Sequence, residues 1–490
     1  MNGRRWLWLW LWLMPAVLWA GALEDRIEEV ISRSPAARRA YWGIRILDAE
    51  TGKTLYSRLS DHYFVPASSA KLFSTALALS RLGPEHRFLT RVTAREEPTA
   101  GGRLRGDLVL VGGGDPSLSA RAFPYKKGPV EGDPLAAIEE LARACVKRGL
   151  RVVEGDIVGD DTAYVWEPAP DGWTQDDAVW DYGAPVSALS VNDNAISLTI
   201  GPGARAGELA RVHLNPPLEY YYIHNRIRTE AGGLARVSVE RRPGSREMYL
   251  SGVVPERWPG QSFHVAVDDP ALYAAALFRQ LLARMGVRIM GRAVARHRRQ
   301  GEAVAEAETS VELARRWSPP LAEILKVINK VSQNLHAELV LREVARACSG
   351  PPASRASGLK ELEAFLTEAG IAKSDYRIED GSGLSLMTLV TPAAMVRLLS
   401  HMYSGPHREL WISLMPVGGE DGTLARRFTG QRPGEAVRAK TGTLSHASSL
   451  SGYWETPSGV RIFAIFANNY HTRPADIRAV IDKICIAAFQ

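Results

Sequence analysis

Ser68 and Lys71 stand three residues apart at the head of an apolar run, VPASSAKLFSTALAL, from Val65 to Leu79. A serine hydroxyl is a poor nucleophile until a base takes its proton. A lysine one helical turn further along the same face brings an amine within reach of that hydroxyl. Burial, or a second cation nearby, favours the neutral amine that such a base requires. Leu72, Thr75, Ala76 and Leu79 form the expected inward stripe, so Lys71 is an expensive residue in this helix. A role as base makes that cost intelligible. The spacing alone has little specificity, because a helix cap followed by a surface lysine gives the same pattern. It recurs at Ser357/Lys360, where SGLKELEAFL reads as the start of an amphipathic surface helix.

Two further patterns sharpen the reading. Ser-x-Asn occurs at Ser190/Asn192 and at Ser332/Asn334, and Lys-Thr-Gly occurs once, at Lys440-Thr441-Gly442. Serine hydrolases that recognise penicillin carry SxxK, SxN and KTG in that order. Ser357 fails the order, and Ser190 leads into an alternating strand, NDNAISLTI, which reads as structural. In the remaining set Ser68 attacks a carbonyl and Lys71 removes and returns its proton. Ser332 relays a proton to the leaving group, and the Asn334 amide both donates to and accepts from a peptide-like substrate. A KTG segment on an edge strand offers main-chain groups to an extended substrate and a fixed cation to a carboxylate. Gly442 removes a side chain where the substrate must lie against that strand. Backbone N–H groups, one from the nucleophile itself, stabilise the developing oxyanion.

Elements must hold these residues together. YWGIRILDAETGKTLYS (41–57) reads as strand, turn and strand, and 449–468 reads likewise, with a turn at Pro457-Ser458-Gly459. A helix from Pro474 to Phe489 closes the chain. If both ends build one antiparallel sheet, the helix near Ser68 packs on it. Between about 90 and 315 short strands alternate with Gly- and Pro-rich turns, broken by one clear helix, Pro270 to Met285, with Leu272, Ala275, Leu277 and Leu281 on its apolar side. A structureless loop of that size is rare, so this stretch reads as one or two inserted, largely β domains. Helical patterns return from Pro319, with Ser332 between two of them.

Composition bounds the rest. The chain has 490 residues, 46% hydrophobic and 23% charged, which is enough for two or three cores. Arg4 and Arg5, an apolar stretch from Trp6 to Trp19, and Ala20-Gly21-Ala22 read as a secretory signal cut after Ala22. The apolar stretch falls short of the roughly 20 residues of a comfortable span; an uncleaved anchor is the alternative. No other segment is apolar enough to cross a membrane. Cys145, Cys348 and Cys485 lie far apart without a CxxC, so neither a zinc module nor a disulfide framework is indicated, and the pairing of any two stays open. The net charge of +6 is spread along the chain, which permits attraction to an anionic wall and gives nucleic-acid binding no support. Asp115, Asp156, Asp160 and Asp161 sit in glycine-rich turns that favour aspartate. The GGG at 112–114 and the TGKT at 51–54 both fail the phosphate-loop pattern. His446 has no partner at metal-ligand spacing. The tryptophans of WEPAPDGWTQDDAVW (166–180) read as a packed loop.

PASSAKLFSTALAL, INKVSQNLHAEL and KTGTLSHASSLSGY together resemble the three motifs, with flanks, of the class C low-molecular-mass penicillin-binding proteins. These are the D-alanyl-D-alanine carboxypeptidases/endopeptidases of the penicillin-binding-protein-4 type. GGGDPSL (112–118), YGAPVSALSVNDN (182–194), DGSGLS (380–385) with VTP (390–392), and GGEDGTLARR (418–427) extend the likeness over almost all of the chain after residue 22. The resemblance implies an α/β (α+β) fold: a transpeptidase-like, β-lactamase-like domain with a five-stranded antiparallel sheet and helices, split by inserted, largely β domains. It implies a catalytic domain at 23–89 and 317–490, an inserted domain at 90–113 and 190–316, and another at 114–189. Ser68 would be the acyl-enzyme nucleophile and Lys71 its base, with Ser332 moving protons and Asn334 holding the substrate amide. Lys440 and Thr441 would take a substrate or β-lactam carboxylate, with Gly442 and Thr443 beside them. The backbone N–H groups of Ser68 and Thr443 would form the oxyanion hole. Where the family carries an arginine and an asparagine after DGSGLS, this chain has Leu386 and Thr388. That departure bears on substrate-side contacts or local packing.

The expected function is a serine D,D-peptidase of the periplasm or cell-wall space, acting on peptidoglycan stem peptides or cross-links and acylated by β-lactams. It would use no metal or other cofactor, and a homo-oligomer is left open. The alternatives are a β-lactamase-like hydrolase and a non-catalytic wall-binding or β-lactam-sensing protein. Intact Ser68, Lys71, Ser332 and Lys440 argue against the last.

Overall fold

The two ends of the chain do form one sheet. The computed structural model describes residues 14–128, 132–302, 310–430 and 436–489. The chain divides into two compact units, one holding the residues up to Leu77, Leu325–Ser332 and those from Leu362 on, the other Ala78–Ile324 and Gln333–Glu361.

In the first unit the strands are β1 (Tyr41–Asp48), β2 (Thr54–Arg58), β3 (Val437–Leu444), β4 (Ala447–Thr456) and β5 (Gly459–Asn468). They lie in the order β3-β4-β5-β1-β2 as a five-stranded sheet in which every neighbouring pair is antiparallel. Alternate residues take opposite faces. Trp42, Ile44 and Ile46 of β1 join Phe463, Ile465 and Ala467 of β5 in one apolar layer, which the terminal helices α1 (Met14–Arg33) and α6 (Pro474–Phe489) cover. Leu23, Ile27 and Ile31 belong to that layer. Residues 1–13 of the expected export segment lie outside the described residues, and α1 runs through the cut expected after Ala22. On the other face lies Pro392–Tyr403, here α5, started by Thr391, whose hydroxyl accepts from the Ala394 N–H, and by Pro392 in its first turn. The Tyr453 hydroxyl of β4 donates to the Leu399 carbonyl of α5. Face assignment matters because Lys440 and Gly442 share this second face.

Three more helices adjoin the motif residues in sequence: α2 (Lys71–Leu82), α3 (Leu321–Val331) and α4 (Asn334–Ser349). The stripe Leu72, Thr75, Ala76 and Leu79 of α2 is fully buried, as its spacing predicts.

The second unit is built mainly of strands. Its five-stranded sheet has the order Ala293–Arg298, Ile157–Val165, Leu108–Val111, Leu89–Ala94, Val311–Trp317. The first three run parallel and the last two pair antiparallel. Two three-stranded sheets come from residues 195–266. The helix expected over Pro270 to Met285 runs from Pro270 to Arg284, capped by Asp269, with Leu272 half-buried rather than in the core. The strand Ile157–Val165 lies between strands from 108–111 and 293–298. Sheet pairing therefore cuts across the boundaries expected at 113/114 and 189/190. All three cysteines are free thiols, Cys145 and Cys485 buried and Cys348 exposed. No described helix is long and apolar enough to cross a membrane.

Candidate active site

Ser68 does not lie on the α-helix. Residues Ala67–Ala70 form a short 3-10 turn, and α2 begins at Lys71. A 3-10 turn has three residues, so side chains at i and i+3 eclipse. Lys71 Nζ donates to Ser68 Oγ at 2.9 Å and to the Ser382 carbonyl at 2.7 Å. The lysine is fully buried, and the serine half-buried.

The segment DGSGLS holds this turn from one side. Asp380 is buried and accepts from the Ser382 hydroxyl at 2.8 Å and from the N–H groups of Gly383 and Ser385 at 3.1 and 3.0 Å. Gly383 has φ +74°, and a Cβ there would lie 2.1 Å from the Ala67 carbonyl. Only glycine permits that approach. Thr388, one of the two departures from the family pattern, is buried and donates to Asp380 at 3.1 Å. Leu386, the other, is 54% exposed. Asp380 and Ser382 escaped the residue-by-residue reading, although DGSG is a turn signal with a carboxylate in place to receive backbone N–H groups.

The strand β3 closes the other side. Gly442 faces the nucleophile turn so tightly that a Cβ would meet Ser449 Oγ at 2.2 Å, the Pro66 carbonyl at 2.4 Å and the Ser68 nitrogen at 3.0 Å. Ser449 Oγ donates to the Pro66 carbonyl at 2.6 Å and lies 2.7 Å from Ser69 Oγ. These hydroxyls fasten the turn to β3 and β4. Thr443 is exposed on β3, opposite Ser448.

Ser332 sits in the break between α3 and α4 with φ +64°, a left-handed conformation rare outside glycine. Its hydroxyl accepts from Lys440 Nζ at 2.9 Å. Lys440 is fully buried and also donates to the Thr441 carbonyl at 2.7 Å. Burial, with the nearby charge of Lys71, holds its amine well below the usual lysine range. Thr441 donates from Oγ1 to Thr423 Oγ1 at 2.8 Å. Ser68, Lys71, Ser332, Lys440, Thr441, Gly442 and Thr443 all belong to the first unit, whereas Asn334 opens α4 in the second. Its amide donates to the Tyr182 carbonyl at 2.7 Å.

The residues set aside by sequence have structural partners. Ser190 donates to the Ser187 carbonyl and accepts from Asn194, while Asn192 donates to the Ala195 carbonyl. Ser357 bonds back to Ser354 in the first turn of its helix, and Lys360 is exposed. Asp115 pairs with Arg316, Asp160 with Arg296 and Asp161 with His297. Asp156 accepts from the Arg292 N–H. Trp166 stacks on His297 with ring centroids 4.1 Å apart. His446 Nδ1 is 2.8 Å from the Tyr470 carbonyl. Among the described residues no group of three or more His, Cys, Asp or Glu is placed to hold a metal ion.

The first unit therefore presents a serine in contact with one buried amine, a second serine in contact with another, and the edge strand β3 beside them. That arrangement suits acyl transfer from a peptide-like carbonyl. The comparisons agree with it. The family model described as "D-Ala-D-Ala carboxypeptidase 3 (S13) family" matches residues 23–488. The chain is 36% identical over 470 residues to a D-alanyl-D-alanine carboxypeptidase of Actinomadura sp. (strain R39), covering 94% of this chain and 83% of that one. It is 24% identical over 416 residues to the D-alanyl-D-alanine carboxypeptidase DacB of Haemophilus influenzae, covering 84% and 81%. The crystal structure of penicillin binding protein 4 (dacB) from Haemophilus influenzae shares the fold, with a TM-score of 0.80 at 22% identity over 94% of this chain and 97% of that one. The same protein complexed with a novel β-lactam gives a TM-score of 0.74 at 21% identity over the same shares.

Proposed function

This chain belongs to the D-Ala-D-Ala carboxypeptidase 3 (S13) family, and we propose that it cleaves D-Ala-D-Ala-terminated stem peptides through an acyl-enzyme on Ser68. It is a serine peptidase, and β-lactams are expected to acylate the same hydroxyl. The observation that carries the reading is the 2.9 Å contact between Lys71 Nζ and Ser68 Oγ at a site whose other wall is the Ser332–Lys440 pair.

In the reactive state Lys71 is neutral and accepts the Ser68 proton. The oxygen then adds to the carbonyl carbon of the penultimate residue. The N–H groups of Ser68 and Thr443 are assigned to the oxyanion, supported by the close seating of the nucleophile turn on β3. Collapse breaks the C–N bond, and the leaving amine takes a proton from Lys71 through the Ser332 hydroxyl. Water then hydrolyses the ester, with Lys71 as base again. Lys440 and Thr441 receive the terminal carboxylate, whose charge favours the protonated form of Lys440. Asn334 is assigned the substrate amide because it stands two residues after Ser332 in the SxN pattern.

The catalytic, transpeptidase-like domain is the unit that carries Ser68. Export to the periplasm or wall space rests on the basic and apolar pattern of residues 4–22, and cross-link cleavage by the same chemistry is part of the proposal. The test is release of D-alanine from an N-acylated peptide ending in D-Ala-D-Ala. The parent protein should release it, Ser68→Ala should not, and Lys71→Met should lose about 10²–10⁴-fold. Release by Ser68→Ala at the parent's rate would refute the assignment.

A further inference from the structure

Thr423 is an exposed threonine in the segment GGEDGTLARR, yet its position is fixed by buried chemistry. Behind it Lys330 Nζ donates to Asp421 Oδ2 at 2.6 Å and to the Met415 carbonyl at 2.8 Å. Asp421 Oδ1 accepts from the Val417 N–H at 2.9 Å. Both ion-pair partners are buried, Lys330 and Asp421 being 6% and 5% exposed. Gly422 has φ +55°, and a Cβ there would lie 2.4 Å from the Lys330 carbonyl, so the loop is pressed against the end of α3. On its other side the loop is sewn to β3, with Gly418 N–H donating to Val437 and Ala439 N–H to Pro416. A buried ion pair is poor value as a source of stability, since desolvation consumes most of its attraction. It is effective at fixing geometry. What it fixes here is the hydroxyl that accepts from Thr441 at 2.8 Å.

A threonine hydroxyl has one hydrogen to give and two lone pairs to receive. Thr441 cannot donate to Thr423 and to a substrate carboxylate at once. If the pair swings, so that Thr423 donates to Thr441, the Thr441 hydrogen is free to point at the carboxylate, and the chained bonds polarise one another. We propose that Thr423 is a positioning residue that orients the Thr441 hydroxyl toward the substrate's terminal carboxylate, with the Lys330–Asp421 pair as its anchor. The inference rests on the assignment of Thr441 to that carboxylate.

The test is steady-state kinetics on an N-acylated D-Ala-D-Ala peptide with Thr423→Val, Thr423→Ser and Thr441→Val. Thr423→Val should raise KM about threefold to tenfold, the range of one net hydrogen bond, with kcat within about twofold. Thr423→Ser should return KM to the parent's value. In the Thr441→Val background Thr423→Val should cost nothing more, because its effect passes through the missing hydroxyl. A loss confined to kcat, a serine variant no better than valine, or losses that add in the double variant would each overturn the inference. Turnover by the parent that Ser68→Ala abolishes carries the underlying reading by itself. A Thr423→Val protein indistinguishable from that active parent would therefore sink this inference alone.

Discussion

Lys440 shows what burial does to a single charge. The side chain has no exposed surface and lies near the Lys71 charge, and both effects disfavour its ammonium form. The folded state thus binds its proton less tightly than the unfolded chain, where a lysine titrates near ~10.4. Between the lowered folded value and ~10.4 the unfolded state holds more protons, so stability rises with pH across that window. The parent should gain stability toward urea from pH 7 to pH 10 relative to Lys440→Met. Parallel curves for the two proteins would contradict this. The same variant should lose acylation by carboxylate-bearing substrates, the trade of activity for stability expected at a functional site. At this scale the gathering of Ser68, Lys71, Ser332 and Lys440 in one unit was legible in the sequence, from the order of the SxxK, SxN and KTG motifs. Thr423, Lys330 and Asp421 were not. Lys330 and Asp421 lie 91 positions apart, and no periodicity or local spacing marks which buried lysine meets which aspartate.

The elements that matter most are the short turn Ala67–Ala70 and the strand β3 against it. The SxxK spacing reads the same for an α-helix and a 3-10 turn, so the sequence could not distinguish them; the structure does, and the turn brings i and i+3 into line. Gly442 makes room for the nucleophile turn itself as well as for a substrate. Gly442→Ala places a methyl group 2.4 Å from the Pro66 carbonyl and 3.0 Å from the Ser68 nitrogen. Backbone must move, at about 1–3 kcal/mol of stability. The displaced serine should react about 100-fold more slowly. A Gly442→Ala protein acylated at the parent's rate would show that the close fit is not needed. Four of the five strands of this sheet were legible from alternation and turn residues, and β3 only as the edge strand expected to carry KTG. The break at Ser332 was legible only as a gap between two helical patterns, and its left-handed backbone was not.

At the scale of the molecule, sheet pairing crosses the seams expected at 113/114 and 189/190. Strand Ile157–Val165 lies between partners drawn from 108–111 and 293–298. Partner choice among strands so far apart is decided by packing, not by any local signal. The closure of the first unit by its two terminal helices was equally hidden for α1, whose first half carries the export pattern. Leu23, Ile27 and Ile31 of α1 belong to the core. A chain beginning at Leu23 keeps all three. One beginning at Ser34 loses Leu23, Ile27 and Ile31 from the core, and at ~1.5 kcal/mol for each it should be destabilised by about 4–5 kcal/mol. An unchanged midpoint for the shorter chain would show that α1 adds nothing to the fold.

The central claim is that Ser68 is the acylated residue. Residues 23–490, exposed briefly to penicillin beside Ser68→Ala, should be weighed intact by mass spectrometry. One penicillin should add to the parent chain and none to the variant. An equal adduct on both proteins, or an unmodified parent with the antibiotic intact, would contradict it.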